Sequence, residues 1–327
     1  MPIHSPSYRS WEGHRVSQWT RWSTICFTGV ERASKSRWLR RLLFFALLPL
    51  LLFGTFFFLF EQSGRDPRIW RSFSGFVNRM PPGNPLGDAI GPLPLTVTPE
   101  KFDEVRHPVW SFLLLTFLRV PQAFLMVTLI GIVAPPLISQ DLRTRAYLIY
   151  FARPISRLEY VAGKFGVVGF FLLSISAMPA LLLYGVAVML SPSVDVVMST
   201  WDLPIRILIA STFMLIPTTL VALAFSSLTL ESRYAGFAWF AMWIIGHVTY
   251  SALIAIPSME AAQDDLVYSP GWLILTSPYQ VLGVVQSFAF GFSSDPSVVL
   301  PSFLMLFAVS IISLVVLFRR VAAPMRV

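Results

Sequence analysis

The strongest constraint on this chain is a series of long apolar runs separated by polar segments. Several runs reach the roughly 20 residues that an α-helix needs to cross a bilayer. Of the 327 residues, 55% are hydrophobic and 13% are charged, and that charged fraction is about half of what a soluble domain carries. The sequence therefore predicts an all-α integral membrane protein.

Six of the apolar runs are predicted to be transmembrane helices, and together they form one six-span domain over residues 42–327. Two starts are compatible with the second span, because residues 102–118 form either an amphipathic surface helix or the first half of a long span kinked at Pro121. The spans cover about residues 42–60, 115–138, 161–190, 204–228, 234–256 and 298–318.

The charges between the runs predict the side on which each segment lies, since cytoplasmic loops carry an excess of Lys and Arg. Segment 139–164 has five basic and two acidic residues, and three arginines follow the last run. Loops 191–203 and 257–296 together contain six acidic residues and no basic one, and segment 61–107 has six of each. Both termini are therefore predicted to be cytoplasmic, with the other three segments outside.

Two further segments are predicted to be helical without spanning. Residues 1–41 carry eight basic residues with interleaved tryptophans, which is typical of a helix lying among lipid headgroups. The alternative for 1–41 is a disordered basic tail held loosely by anionic lipid. Residues 272–290 are apolar and interrupted at Pro278, which predicts a pair of outer-surface or re-entrant helices.

The chain lacks the motifs of the common enzyme classes, so we expect neither catalysis nor a cofactor. A phosphate-binding loop of the G-x-x-x-x-G-K-[ST] form is missing, because Leu158 stands where the first glycine would precede Gly163-Lys164. One cysteine and four scattered histidines do not form a metal-binding cluster. The basic residues flank apolar runs rather than forming a soluble face, so no nucleic-acid partner is expected.

His247 lies near the middle of the fifth predicted span. An ionisable group inside a membrane is a candidate for a transport pathway. The alternative is a neutral histidine hydrogen-bonded between helices. Proton-coupled transport usually needs buried carboxylates, and the predicted span cores contain none, which counts against a secondary transporter.

Segment 139–164 joins the second and third spans and is both basic and aromatic. As a helix, residues 141–151 are apolar on two sides, with Leu142 and Ile149 on one and Tyr147 and Phe151 on the other. A helix that is apolar on two sides can touch its own membrane domain and a partner protein. The alternative is an ordinary cytoplasmic loop of a membrane protein.

The same segment carries a recognisable motif. The residues Arg153-Pro154-Ile155-Ser156-Arg157, followed by Tyr160 and Gly163-Lys164, resemble the "rPisR..Y..GK" motif of type-2 ATP-binding-cassette permeases, including the nitrous-oxide-system permease group. The chain departs from this pattern at Asp141-Leu142-Arg143, where many members have a Glu-Arg or Glu-Lys pair. Thr144 stands where the following glycine often lies.

The resemblance implies a permease, and specifically an exporter, that works with a second permease subunit and with separately encoded ATPase subunits. It also implies the six-span fold, the interfacial N-terminal helix and outer helices between the fifth and sixth spans. Tyr147, Tyr150 and Phe151 would anchor the ATPase, and the arginines would be charged partners. The expected coupling residues are Asp141, Arg143, Arg145, Tyr147, Tyr150, Phe151, Arg153, Pro154 and Arg157.

Two other classes of function fit the composition. One is an ATPase-independent secondary transporter or channel, and the other is a membrane protein that assembles a complex without transporting anything. In all three cases the protein would sit in a cell membrane in contact with lipids. The abundance of Pro, Trp and Arg points to a bacterial inner membrane.

Overall fold

A computed structural model describes residues 20–81, 83–146, 155–263 and 271–322, and most of these residues are helical and none lies in a strand. The predicted all-α class is confirmed. A 3-10 helix, Gly271–Thr276, precedes α13. The α-helices are α1 Arg21–Ser34, α2 Arg37–Phe45, α3 Leu48–Ser63, α4 Pro67–Val77, α5 Pro85–Ile90, α6 Pro99–Arg119, α7 Pro121–Arg143, α8 Arg157–Ile175, α9 Ala177–Leu190, α10 Val196–Thr200, α11 Asp202–Leu228, α12 Ser232–Gln263, α13 Pro278–Ala289 and α14 Pro296–Ala322.

Six helical segments are long and apolar enough to cross a membrane, which agrees with the predicted number. This arrangement is that of a multi-pass membrane protein. The segments are Arg37–Ser63, Pro99–Arg143, Arg157–Leu190, Val196–Leu228, Ser232–Ala255 and Pro296–Val321.

The second span is longer than the predicted 115–138, because α6 and α7 follow each other as one 45-residue segment. The chain bends at Val120 (φ −95°, ψ −73°), immediately before Pro121, whose ring disfavours helical geometry in the preceding residue. The side chains of Trp110, Leu114 and Phe117 are fully buried. Residues 102–118 are therefore the first half of a kinked span rather than a surface helix.

Successive spans run in opposite directions, so the polar connections gather at two ends of the bundle. We call the end that contains the α7–α8 and α11–α12 connections the arginine-rich end, because Arg143, Arg157 and Arg233 lie there. Arg143 reaches across this end to pair with Glu231. At the opposite end, His107 at the start of the second span contacts Asp202 at the start of α11.

A buried ion pair holds the opposite end together. The carboxylate of Glu61, at the end of α3, accepts a hydrogen bond from Arg106 at 3.3 Å and another from the Trp110 indole at 3.1 Å. Arg106 also donates to Asp103. Because Glu61 is 2% exposed and has both donors beside it, its charge is compensated where bilayer or protein replaces water.

The connection between the fifth and sixth spans enters the bundle. The 3-10 helix and α13 form the helical pair that the sequence predicts around Pro278. The tip of this pair packs on α12 so closely that a Cβ added to Gly246 would lie 2.7 Å from Cδ of Pro278. Gly246 is about 21 Å along α12 from its start. The pair therefore packs against the middle of α12, and its placement relative to the membrane stays a prediction.

The hydroxyl of Ser226 on α11 forms hydrogen bonds with the backbone at the distorted end of α7. Pro135 and Pro136 interrupt α7, and the chain beyond them turns its backbone toward Ser226. The Ser226 Oγ accepts hydrogen bonds from the backbone N–H groups of Ile138 and Ser139, both at 3.1 Å, and donates to the carbonyl of Pro135 at 2.6 Å. This contact fixes the height of α7 relative to α11.

We expect Ser226→Ala to destabilise the protein by about 2 kcal/mol, because it leaves buried backbone groups without their partner. Ser227→Ala is the matched control, since the Ser227 hydroxyl bonds only the carbonyl of Ala224 in its own helix. Thermal unfolding in detergent measures both variants. Equal losses in the two would contradict the role given to Ser226.

Candidate functional site

The structure describes four of the nine expected coupling residues, Asp141, Arg143, Arg145 and Arg157, all at the arginine-rich end. They lie on the last turn of α7, the turn after it and the first turn of α8. The other five lie outside the described residues, and they are Tyr147, Tyr150, Phe151, Arg153 and Pro154.

Asp141 is buried in an ion pair that links the two helices flanking the loop. Its Oδ2 lies 2.7 Å from Nζ of Lys164 on α8 and accepts a hydrogen bond of 2.8 Å from the hydroxyl of Tyr160. The Lys164 ammonium also lies 5.3 Å from the centroid of the Tyr160 ring. We call Asp141, Tyr160 and Lys164 the inter-helix clamp. Breaking a buried pair of this kind is costly, since one charge stays without its partner.

Tyr160 and Lys164 were not among the expected site residues, although both belong to the motif. They are four positions apart on α8 and therefore lie on the same face. Their spacing, together with an acidic residue closing the preceding span, is a signal for such a clamp. The sequence does not say that this face of α8 packs against the end of α7, so the pairing emerges only from the structure.

The helix containing Asp141 ends sooner than expected. The sequence predicts helix from 141 to 151, but α7 stops at Arg143. The N–H of Ala146 bonds the carbonyl of Asp141 at 3.0 Å and the N–H of Arg145 bonds that of Leu142 at 3.3 Å. These two hydrogen bonds together form a Schellman motif, which places one residue in the left-handed region of backbone conformation. Arg145 is that residue, with φ of 56°.

The other side of the loop begins α8 with a reciprocal cap. The Ser156 hydroxyl accepts a hydrogen bond from the N–H of Glu159 at 3.2 Å, and the Glu159 carboxylate accepts one from the N–H of Ser156 at 2.6 Å. This capping box fixes where α8 starts. Arg157 and Leu158 follow the cap and are both exposed. The S-x-x-E spacing is visible in the sequence but had not been assigned a role.

A polar cavity of about 460 Å³ adjoins the clamp, with Asp141 and Lys164 in its lining. The N-terminal helix α1 closes one side of it. Two glycines on α8 allow α1 to approach, because a Cβ on Gly163 would lie 2.7 Å from that of Ile25, and one on Gly166 would lie 2.9 Å from Sγ of Cys26. Packing of α1 on α8 therefore depends on small residues beside the clamp.

His247, the predicted pathway residue, lies far from the clamp. It is an exposed residue of α12, and its ring meets that of Tyr279 edge-on with centroids 6.3 Å apart. In the part of the chain that the structure describes, no three His, Cys, Asp or Glu residues come together in a way that could hold a metal ion.

Comparison with known proteins does not extend this picture, since neither a family model nor a curated protein sequence matches the chain. The candidate site is therefore defined by its geometry. It comprises two helix ends locked by a buried ion pair, with exposed arginines on either side of the loop between them.

We expect the clamp residues to act as a unit. Asp141→Asn and Lys164→Met should each cost about 3 kcal/mol of stability, because each leaves one buried polar group without its charged partner. The double variant should cost clearly less than the sum of the two single ones. Unfolding in detergent measures this cycle, and additive losses would show that the two side chains are not coupled.

Arg145→Gly should stabilise the protein by up to about 1 kcal/mol, because glycine adopts a positive φ without the steric penalty of a side chain. Arg143→Gly is the matched control. It removes the same side chain two positions earlier, where the chain is helical, and should cost about 1 kcal/mol. Thermal unfolding distinguishes the two signs. A loss of stability in Arg145→Gly would contradict the Schellman motif.

Proposed function

We propose that this chain is the membrane-spanning subunit of an ATP-binding-cassette transporter of the type-2 permease class, and that it acts as an exporter. A separate ATPase subunit would bind the loop over residues 139–160. ATP binding would close the ATPase and move this loop, and the bundle would change between inward-open and outward-open states. This is a population shift driven by a ligand of the partner.

The observation that carries the proposal is the inter-helix clamp next to the motif. A loop that is displaced by a bound partner can transmit this movement only if its two ends move together with the helices that they join. The ion pair of 2.7 Å between Asp141 and Lys164 ties these helix ends together. In this proposal Asp141 acts by positioning the loop, and the exposed residues meet the partner.

The clamp is connected to the rest of the bundle. The Ser226 hydroxyl bonds the backbone of α7 at Ile138 and Ser139, so movement of α7 reaches α11. Arg143 pairs with Glu231 in the turn between α11 and α12 at 3.3 Å. That pair is exposed and contributes little to stability, but it lies where a partner bound to the loop would also touch the turn.

The exposed charges on both sides of the loop suit an acidic partner surface. Arg143, Arg145 and Arg157 are all exposed, and Leu158 beside them is 67% exposed. Arginines around an apolar residue form a common type of interface anchor. Together with the predicted Tyr147, they would form a contact with charge complementarity at its rim.

The remaining features of the proposal concern assembly and location. In this proposal the arginine-rich end and both termini lie in the cytoplasm, as the positive-inside pattern favours, and the N-terminal segment lies at the lipid interface of a bacterial inner membrane. Two copies of the chain would work with two ATPases. The first and last spans each have only 17% of their most apolar window buried, which leaves wide faces for lipid and for a second copy.

We predict that the tagged protein, purified from its native membrane in mild detergent, carries a soluble ATPase in equal amount. Tyr147→Ala combined with Phe151→Ala should reduce this recovery about tenfold or more, since interface aromatics commonly contribute over 1 kcal/mol each. Trp201→Ala is the control, because Trp201 is 63% exposed at the opposite end of the bundle.

The outcome separates the proposal from its alternatives. Recovery of the ATPase without ATP-dependent transport would indicate a protein that assembles a complex. A folded preparation without any ATPase would overturn the proposal in favour of a self-sufficient transporter or channel.

A further inference from the structure

Arg119 lies at the bend between α6 and α7 and packs against α13. Its Nη2 donates a hydrogen bond of 3.0 Å to Oε1 of Gln280, and its guanidinium carbon lies 5.8 Å from the centroid of the Tyr279 ring. It also touches Gly283, where an added Cβ would lie 2.8 Å from Cζ of the arginine. The side chain is thus held in one place.

The Arg119 charge has no counter-ion among the described residues. This separates it from three other cations that are buried or partly buried in the bundle. Arg106 faces Glu61, Lys164 faces Asp141 and Arg206 faces Asp202. A partly desolvated charge without a partner is unfavourable, and in a membrane protein it marks a functional position by default.

The surroundings of Arg119 are polar but neutral. On α13, Arg119 contacts the amide oxygen of Gln280 and the backbone at Gly283. Gln122, one turn after Arg119 along the chain, is fully buried, and neither end of its amide has a hydrogen-bond partner within the described part of the chain. Such groups can solvate a charge and bind a polar ligand without neutralising the arginine.

The position is open from the side of the bundle. Val120 next to Arg119 is 56% exposed, and Phe124, one turn further, is 73% exposed. The bend at Arg119 lies about 28 Å from Ile138 at the arginine-rich end, at the helical rise of 1.5 Å per residue. Because residues 102–118 form the first half of the same span, the guanidinium lies within the span and beside an apolar surface.

We propose that Arg119 binds the phosphate or carboxylate oxygens of an anionic amphiphile that enters sideways through this open side of the bundle. A guanidinium matches two oxygens of such a group with parallel hydrogen bonds. Gln280 holds the arginine for this contact, and the exposed Phe124 meets the acyl chain. This binding does not depend on an ATPase and can be tested without one.

The test uses the full chain in nanodiscs that contain equal amounts of phosphatidylglycerol and phosphatidylcholine. Native mass spectrometry then measures the lipids that stay bound. Wild type should retain phosphatidylglycerol over phosphatidylcholine by about tenfold, and Arg119→Gln should lose this preference. Arg71→Gln is the matched control, since Arg71 is exposed on α4. Equal retention by wild type and Arg119→Gln would overturn the proposal.

Two further variants distinguish binding from misfolding. Arg119→Lys keeps the charge but loses the two parallel hydrogen bonds, so it should keep only part of the preference. Gln280→Glu places a carboxylate 3.0 Å from the guanidinium, in the position of the present amide oxygen. This internal counter-ion should abolish the lipid preference while raising the thermal stability. If Gln280→Glu bound phosphatidylglycerol as wild type does, the proposal would be wrong.

A competition experiment with inorganic phosphate identifies the source of the anion. Displacement of the lipid by millimolar inorganic phosphate would support a site for small free anions, and retention would support a site for a membrane amphiphile. If wild type shows no lipid preference and Arg119→Gln changes only the oligomeric state, the counter-ion comes from a second copy of the chain. That result would contradict the amphiphile site.

Discussion

The ion pair between Asp141 and Lys164 is the interaction on which the arginine-rich end depends. It joins the end of α7 to the start of α8 at 2.7 Å, and the hydroxyl of Tyr160 occupies the same carboxylate oxygen. Without this pair, the two helix ends on either side of the loop could move independently of each other. With it, a displacement of the loop becomes a displacement of two spans, which is what a permease driven from outside requires.

The number of spans and the helical class could be predicted from the sequence because they depend on apolar length and composition alone. The end of α7 could not. Arg145 adopts a left-handed conformation that favours glycine, so the usual residue signal is missing. The partners of Asp141 were equally out of reach, since Tyr160 and Lys164 are recognisable as a pair only once α8 is known to pack on α7.

Charges at the two ends of the bundle have different roles. Glu61 with Arg106, like Asp141 with Lys164, forms a buried pair that fixes the relative height of neighbouring helices. Arg119 has no such carboxylate among the described residues and donates a hydrogen bond to the neutral amide of Gln280. The two buried pairs stabilise the fold, whereas the charge of Arg119 is the one that we propose binds a ligand. The sequence shows all of these residues but not which of them are paired.

The central claim is that the clamp transmits movement of the loop to the bundle. Spin labels on cysteines at Ala162 and Tyr234, which are exposed early in α8 and α12 and lie outside the proposed ATPase contact, would report it in a Cys26→Ser background with the partner ATPase reconstituted. We predict that ATP changes the distance between the labels, and that Asp141→Asn abolishes this change while ATP hydrolysis continues. An unchanged distance in wild type, or the same change in Asp141→Asn, would contradict the claim.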